Sequence, residues 1–265
     1  MSFKNFSKFF QFKNDILSGK SFTVTGLTGF SRMLTLNEIK NLSNKKILFV
    51  TSDEQGALRY QNDFKKLFDI KADILPYQNL SFYETLQPDL YVYAEQMKIL
   101  KSSPDFVIAP IKALCEKFAS REFFRKYSLE FKIEDEVDTK KLAQTLINLG
   151  FKRTVTVSDI GEFSIRGDII DIFSLSDNPV RIELWGDEIV DIRYFINETQ
   201  RSIEKIKQVS IQPVYKFLYS DNILPFECED SGYFEGINVY QSYFNDNLVS
   251  VFDYLKNYIV VFDEM

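Results

Sequence analysis

The chain has 265 residues, of which 45% are apolar and 26% are charged, which is ordinary for a globular protein of roughly one to three domains. A net charge of −6 and a pI of about 5.0 remove any expectation of broad, charge-driven nucleic-acid binding, because phosphate backbones are bound by clustered lysines and arginines. The sequence contains no histidine, which excludes a Ser-His-Asp triad, a histidine-ligated zinc ion and a histidine general base within this chain.

The first part of the chain alternates predicted helices and strands. Helices are predicted over residues 3–18 (ending at Gly19), from about residue 30 to 42, and after Asp53, which can cap a helix to about residue 68. Strands are predicted at 21–25, 46–51, 73–75 and 106–109. Strands alternating with helices over short connections favour a parallel α/β sheet.

After about Phe118 the pattern changes to closely spaced strands. A helix is predicted over residues 138–149, ending at Gly150, and strands follow at 152–157, 162–165, 168–173, 180–184, 188–195 and 206–212. Turn signals such as Gly167-Asp168 and Gly186-Asp187 separate them, which is typical of antiparallel β structure. We therefore expect a second, α+β domain at roughly residues 119–213.

The tail contains an acidic loop at residues 227–235, a predicted helix at about 247–256 and an apolar strand at 258–262. A buried strand followed by only three residues indicates a sheet that the first part of the chain completes. We also expect the sequence to be a piece of a longer protein.

The two cysteines, Cys115 and Cys228, lie far apart and neither belongs to a C-x-x-C pair, so a structural zinc site is excluded. Their apolar surroundings predict two buried thiols rather than a disulfide. No apolar run approaches the roughly 20 residues of a membrane span, and the N-terminus lacks the apolar segment of a signal peptide. These features predict a cytoplasmic protein that does not associate with a membrane.

Residues 26–33 (GLTGFSRM) lie where a phosphate-binding loop belongs, between a predicted strand and a predicted helix. A working loop reads G-x-x-x-x-G-K-[ST], and its last three positions are here occupied by Ser31, Arg32 and Met33. Methionine cannot hold Mg²⁺. In a segment that begins with Gly26 and Gly29, the Cβ of Ser31 stands where a second glycine would let backbone N–H groups approach the phosphates. We expect a degenerate, non-hydrolysing loop; residual anion binding through Arg32 and true ATPase chemistry are the alternatives.

The apolar strand at the end of the chain runs into Asp263-Glu264, a pattern similar to an acidic Mg²⁺-binding motif. Because the loop lacks its lysine and its hydroxyl, we interpret the two carboxylates as a solvated strand end.

The segment Arg181-Ile182-Glu183-Leu184-Trp185 alternates strictly between polar or aromatic and aliphatic residues. If the two aliphatic side chains face the core, then Arg181, Glu183 and Trp185 share the opposite face. Arginine and tryptophan are the residue types enriched at interface hot spots. The opposite register, with Trp185 in the core, is equally compatible with the residues alone. Arg166, before the turn at Gly167, is either a projecting contact or a surface arginine without a role.

Several of these segments together resemble the UvrB-homology modules of bacterial nucleotide excision repair proteins, found in UvrB and in the transcription-repair coupling factor. The specific signature of their UvrA-binding domain lies at residues 166–173 and 181–189, and residues 192–195 and 199–202 are more similar to the coupling-factor branch. A looser resemblance covers the first domain, at residues 75–100, including Pro76, Tyr83-Glu84 and Pro88, and at 107–110 and 113–114.

Two departures separate the chain from UvrB. UvrB has an intact ATP loop and a long aromatic β-hairpin after its Q-P-E-like segment. Here the loop is degenerate, and Gln87-Pro88-Asp89 continues directly into a helix-like stretch. The resemblance therefore implies the non-catalytic N-terminal module of the coupling-factor branch.

The resemblance implies a RecA-like parallel-sheet domain in two segments, residues 1–118 and a truncated 214–265, with the mostly antiparallel UvrA-binding domain, 119–213, inserted between them. It implies that the module needs no cofactor and recruits UvrA to stalled RNA polymerase. The whole protein would be an ATP-dependent DNA translocase that contacts RNA polymerase and DNA through parts absent from this chain.

The UvrA contacts that the resemblance carries over are Arg166, Arg181 and Trp185, with Trp185 exposed. Asp168 could neutralise Arg166 and weaken its contact. Two other functions compete with this interpretation: a fragment of a UvrB-type DNA-dependent ATPase and excision nuclease subunit, and direct DNA binding through a local basic patch at Lys4, Lys8, Lys13 and Lys20.

Overall fold

The structure, a computed structural model, describes residues 7–78, 89–218 and 248–263. These residues form two compact units. The first contains described residues up to Tyr77, then Ile99–Cys115 and those from Phe252 onward; the second contains those within Gln78–Lys98 and Glu116–Val251. The predicted acidic loop at 227–235, Cys228, Glu264, Lys4 and the motif residues Tyr83, Glu84 and Pro88 lie outside the described residues.

The described helices and strands follow in chain order. The helices are α1 (Ser7–Ser18), α2 (Phe30–Ser43), α3 (Glu54–Phe68), α4 (Leu90–Ser102), α5 (Ile111–Leu114), α6 (Arg121–Tyr127), α7 (Thr139–Asn148) and α8 (Val251–Tyr254). The strands are β1 (Ile47–Thr51), β2 (Asp73–Ile74), β3 (Phe106–Pro110), β4 (Leu129–Lys132), β5 (Lys152–Arg153), β6 (Glu162–Arg166), β7 (Ile169–Ile172), β8 (Val180–Trp185), β9 (Glu188–Phe195), β10 (Ser202–Ile206), β11 (Gln208–Ile211) and β12 (Ile259–Phe262).

The first unit is built on a four-stranded sheet in the order β12-β1-β3-β2. All of its pairings are parallel, with Ile47 opposite both Phe106 and Ile259. Every residue of β1 and β3 is buried, because a parallel sheet is covered on both faces and its strands are apolar throughout. The predicted parallel α/β sheet is confirmed, and so is the completion of that sheet by the tail strand. The prediction that the tail strand is buried is wrong, because β12 is an edge strand that is half-buried, with Phe262 51% exposed.

Local sequence signals set the helix boundaries of the first unit. The carboxylate of Asp53 accepts a hydrogen bond of 2.6 Å from the amide of Gly56 and so caps α3, as predicted. The C-cap residues of α2 and α3 are Asn44 and Asp69, whose backbones lie in the left-handed region at φ 51° and 52°. Short polar side chains are tolerated in this region.

The strand predicted at residues 21–25 is wrong. These residues are not in a strand in the structure, and the side chains of Phe22 and Val24 are 40% and 42% exposed. Alternating apolar residues form a strand only when a neighbouring strand accepts their backbone hydrogen bonds. The segment before α2 is consequently a loop that does not follow a strand, and one premise of the phosphate-loop prediction is lost.

The second unit is built on a six-stranded sheet in the order β10-β9-β8-β7-β6-β5. Its pairings are antiparallel except that of β5 with β6, which confirms the prediction of mostly antiparallel structure. One face of the sheet packs with α7 into an apolar core that includes Phe163, Ile170, Ile182, Leu184, Ile192, Leu142 and Leu146. This face is called the core face below, and the opposite one the outer face.

Two predicted strands of this unit need correction. The run 152–157 is a strand only at Lys152–Arg153, because Val157 turns into a second apolar cluster with Ile160, Phe173 and Phe195. The run 206–212 contains parts of two strands: β10 ends at Ile206, and β11 pairs with β4 in a separate two-stranded sheet.

Three further predictions concern helices and cysteines. Asp138 caps α7 through hydrogen bonds from the amides of Lys140 and Lys141, so the helix predicted there is confirmed. The predicted tail helix is reduced to α8, and α6 and β4 were not predicted. Cys115 is exposed, so the prediction of a buried thiol is wrong for it. In the described ranges no helix has the length and apolar character that crossing a membrane requires.

Candidate functional site

Strand β8 separates the two faces of the antiparallel sheet residue by residue. Ile182 and Leu184 are buried in the core, whereas Arg181 and Glu183 are half-buried on the outer face. Trp185 is 82% exposed. The predicted alternation is confirmed, and the opposite register, with the indole in the core, is excluded.

The strand register places the predicted contact residues on this outer face. Arg166 pairs with Ile169, which pairs with Glu183, and Trp185 lies two residues further along β8. The backbone amide of Leu184 donates to the carbonyl of Asp168 at 2.8 Å. The ends of the β6–β7 and β8–β9 hairpins therefore adjoin, and Arg166 and Trp185 lie at the same end of the face.

A carboxylate that sequence reasoning missed, Asp171, lies between the two predicted arginines. Its side chain is completely buried, and its oxygens accept hydrogen bonds from Arg166 Nη2 at 2.6 Å and from Arg181 Nε and Nη2 at 2.6 and 2.9 Å. The neutralising charge that was expected from Asp168 thus comes from Asp171. The Arg166 side chain remains 42% exposed, whereas that of Arg181 is 14% exposed.

Arg181 has further partners within the sheet. Its Nη2 donates to the side-chain oxygen of Gln200 at 3.1 Å, and its Nη1 donates to the Gln200 carbonyl at 3.4 Å. The guanidinium lies over the ring of Phe195, with 4.5 Å between its carbon and the ring centroid, a favourable cation–π arrangement. The hydrogen bonds to Asp171 raise the pKa of Arg181.

A second set of ion pairs extends the outer face toward its edge strand. Arg193, on β9, pairs with Glu183 and, at 3.2 Å, with Asp191. Lys205 of β10 pairs with Asp191 at 2.8 Å. The register places like charges directly opposite each other, Arg181 opposite Arg193 and Glu183 opposite Asp191, so the ion pairs between strands on this face are formed along diagonals.

The predicted phosphate-loop segment belongs to the other unit. Gly26 and Gly29 adopt positive φ values of 79° and 49° before α2 begins. Ser31 Oγ is a hydrogen-bond partner of both the amide and the carbonyl of Thr28, and Met33 is buried. The segment is ordered by contacts of its own residues.

Arg32 forms an ion pair with Asp263 at the end of β12. Its Nη1 lies 3.2 Å from Asp263 Oδ1, with the two side chains 22% and 19% exposed. Tyr60 donates to Asp263 Oδ2 at 2.8 Å. Burial and the neighbouring Asp263 raise the pKa of Tyr60, against the lowering effect of Arg32. The interpretation of Asp263 as a solvated strand end is wrong, because its carboxylate is paired and largely buried.

The structure therefore brings Arg166, Arg181 and Trp185 onto one face and places the loop residues in a separate unit. The signal for Asp171 was present in the sequence as a carboxylate in an otherwise aliphatic strand, Ile169–Ile172. A buried carboxylate in such a strand needs a cationic partner, but only the strand register identifies which. Within the described part of the chain, no three carboxylate or cysteine side chains are grouped so that they could hold a metal ion.

Comparison with known proteins gives two results. The family model described as the UvrB interaction domain matches residues 129–217, a range that contains the whole outer face. The transcription-repair-coupling factor of Staphylococcus aureus (strain bovine RF122 / ET3-1) is 29% identical over 220 residues, which cover 81% of this chain and 19% of that protein. That of Staphylococcus haemolyticus (strain JCSC1435) is 28% identical over 222 residues, covering 82% and 19%.

The chain thus spans about one fifth of the length of these curated relatives and includes the matched domain. These matches confirm the resemblance to the N-terminal module of the coupling-factor branch that was inferred from the sequence.

Proposed function

We propose that this chain is a non-catalytic recruitment module of transcription-coupled repair, which binds UvrA through the outer face of its antiparallel sheet. The observation that carries the proposal is the 82% exposed indole of Trp185, at the same end as the half-exposed Arg166 and within the range that matches the UvrB interaction domain. Arg166, Arg181 and Trp185 form the docking site.

The exposed indole explains why this face suits a protein partner. A large aromatic side chain left in water costs free energy that is regained when a pocket on the partner covers it. Hot spots are enriched in tryptophan and arginine, and a rigid sheet presents them with little loss of conformational entropy. An acidic group on UvrA beside an apolar pocket would complement Arg166 and Trp185.

The parallel-sheet unit serves, in this proposal, as a RecA-like scaffold that no longer hydrolyses ATP. Two observations support this function. Met33, at the position of the Mg²⁺-binding hydroxyl, is buried. Arg32, at the position of the loop lysine, is paired with Asp263, whose place after the apolar strand β12 is that of a metal-binding carboxylate.

The whole protein to which such a module belongs would supply the other functions. We propose that parts outside this chain contact RNA polymerase and DNA and carry the ATP-dependent translocase, and that the module acts in the cytoplasm, recruiting UvrA to the stalled polymerase.

The proposal is tested by titrating UvrA with the chain in a calorimeter. Trp185→Ala and Arg166→Ala are expected to weaken binding, the first by about 2 kcal/mol or roughly 30-fold. The matched controls are Ile147→Ala, a 41% exposed aliphatic residue on α7, and Arg125→Ala, an exposed arginine paired with Glu122 on α6. Both controls should bind like the unaltered chain, and unaltered binding by both site variants would reject the site.

The non-catalytic part has its own test. Incubation of the chain alone with Mg-ATP should give no turnover. Measurable hydrolysis that Arg32→Ala abolishes would favour the UvrB-type ATPase instead.

A further inference from the structure

Asp171 lies on the outer face and yet is closed to a partner. Its side chain has no exposed surface, and burying a carboxylate is costly unless its charge is compensated by hydrogen-bonded cations. Three guanidinium hydrogen bonds, one from Arg166 and two from Arg181, provide that compensation. The charge of Asp171 is therefore used inside the sheet.

The guanidinium of Arg181 is committed to the same interior network. Its Nε and Nη2 donate hydrogen bonds to the Asp171 carboxylate. Its Nη1 and Nη2 also donate to Gln200, and the plane of the guanidinium lies over the ring of Phe195. With 14% of the side chain exposed, Arg181 offers a partner little surface and few donors.

Gln200 connects this network to two other segments. It lies in the turn after β9 with a left-handed φ of 57°. Its side-chain Nε2 donates to the backbone carbonyls of Val157 at 3.0 Å and Asn197 at 2.7 Å. Its side-chain oxygen accepts from Arg181. Because it is held from both sides, Gln200 fixes Arg181 to the backbone around it.

Arg166 differs from Arg181 in how much of it remains available. The bond to Asp171 uses one of the five N–H donors of the Arg166 guanidinium, an N–H of Nη2. The Arg166 side chain is 42% exposed. The three charged groups sum to one formal positive charge, from two arginines and one carboxylate, and Arg166 is the member that presents it to solvent.

We propose that Asp171, Arg181 and Gln200 form a positioning clamp that holds Arg166 in a fixed pose at the end of the face where Trp185 lies. The docking face then offers its partner one cation and one indole. The chemistry it selects is a single carboxylate next to an apolar pocket. This inference rests on the proposed UvrA-binding function and assigns Arg181 a positioning role in it.

Pre-organisation is the physical gain from such a clamp. An arginine has many rotamers, and fixing one on binding reduces affinity unless the free protein already holds it in place. Asp171 fixes Arg166 in advance, and Arg181 and Gln200 prevent Asp171 from turning toward other donors.

A double-mutant cycle on the whole chain tests this role, with UvrA as the titrant in a calorimeter. Arg181→Ala should weaken binding about 10-fold, or about 1.4 kcal/mol, when Arg166 is present. In an Arg166→Ala background the same change should alter affinity less than about 2-fold, because a positioning residue has nothing left to position. A change that only disturbs folding would lower affinity in both backgrounds.

A second variant keeps the test valid if Arg181→Ala disturbs folding by leaving Asp171 under-compensated. Asp171→Asn combined with Arg181→Met removes both buried charges together, which costs less free energy of unfolding than removing one partner and leaving the other uncompensated. The far-UV circular dichroism of this double variant should be unchanged. The double variant should weaken UvrA binding when Arg166 is present and alter the affinity less than about 2-fold in an Arg166→Ala background. Arg125→Ala combined with Arg166→Ala is the control pair, and its effects should multiply independently.

The outcomes separate the two proposals. If Arg166→Ala and Arg181→Ala each reduce affinity, their effects multiply and the far-UV circular dichroism of both variants is unchanged, Arg181 contacts UvrA directly and the clamp is rejected while the docking function stands. If Trp185→Ala and Arg166→Ala both bind UvrA like the unaltered chain, the docking function itself fails, and the clamp fails with it.

Discussion

The two sheets of this molecule use their surfaces in opposite ways. The central strands β1 and β3 of the parallel sheet are buried along their whole length, so only the ends of these strands can meet a ligand. The antiparallel sheet buries one face in its apolar core, whereas the outer face carries ion pairs, the buried ring of Phe195 at one end and the exposed indole of Trp185 at the other. A sheet whose second face is only partly covered can carry a core on one side and solvent-accessible polar groups on the other.

The same contrast holds for the buried charges of the two sheets. In the parallel unit, Arg32 and Asp263 neutralise each other one to one. In the antiparallel unit, two arginines share one carboxylate, Asp171, which leaves a surplus positive charge. One arrangement neutralises a carboxylate at the end of a strand, and the other leaves one guanidinium, that of Arg166, 42% exposed to solvent.

The largest expected effects test whether both faces of the parallel sheet are core. Leu48→Ala and Phe49→Ala change neighbouring residues that point to opposite faces of β1, and both side chains are buried. Each should lower the free energy of unfolding by about 2–5 kcal/mol, measured by urea denaturation followed by circular dichroism.

On β8 of the antiparallel sheet, Ile182→Ala should lower the free energy of unfolding by a similar amount, whereas Trp185→Ala should change it by less than about 0.5 kcal/mol. A large loss for Trp185→Ala would contradict the two-sided account of the antiparallel sheet.

An intermediate effect is expected from the ion pair at the end of β12. Arg32→Ala, Asp263→Ala and the double variant form a cycle whose coupling free energy should be about 1 kcal/mol in favour of the pair. The reason is that both side chains are largely withdrawn from water. The Arg125–Glu122 pair, which is 82% and 80% exposed, should give a coupling close to zero. Equal coupling free energies for the two ion pairs would show that the pairing of Asp263 does not contribute to stability.

The smallest effect concerns alkaline pH and Tyr258. Burial, with Asp105 and Asp73 nearby, raises the pKa of Tyr258 from 10.0 to about 12. Since the unfolded chain ionises first, the stability that the neutral phenol provides is complete below about pH 10 and is lost as the pH rises toward 12. The urea midpoint should therefore fall over this range, and less steeply in Tyr258→Phe. Parallel curves for the two proteins would show that Tyr258 ionises as it does in water.

Local patterns in the sequence predicted much of this fold. The apolar run that became β1, the cap at Asp53 and the alternation from Arg181 to Trp185 each depend on neighbouring residues, and all three are found in the structure. The predicted strand at residues 21–25 failed, because strand formation also needs a partner that a local pattern does not specify.

The contacts of the proposed docking face were predicted only in part for the same reason. Trp185 and the arginines were identified from residue type, alternation and resemblance. The link between Arg181 and Gln200 joins residues that lie 19 positions apart, and Asp171 meets Arg181 only through the β7–β8 register. Such contacts are determined by tertiary pairing, so sequence reasoning assigned the neutralising role to the nearer Asp168.

The most direct test of the central claim observes the indole itself. Trp185 is the only tryptophan in the sequence, so incorporation of 5-fluorotryptophan gives the chain a single ¹⁹F resonance. The account predicts that this resonance shifts between H₂O and D₂O in the free chain, as an exposed indole does, and that saturation with UvrA moves it and abolishes the solvent shift. An unchanged resonance and solvent shift in the saturated complex would contradict the account.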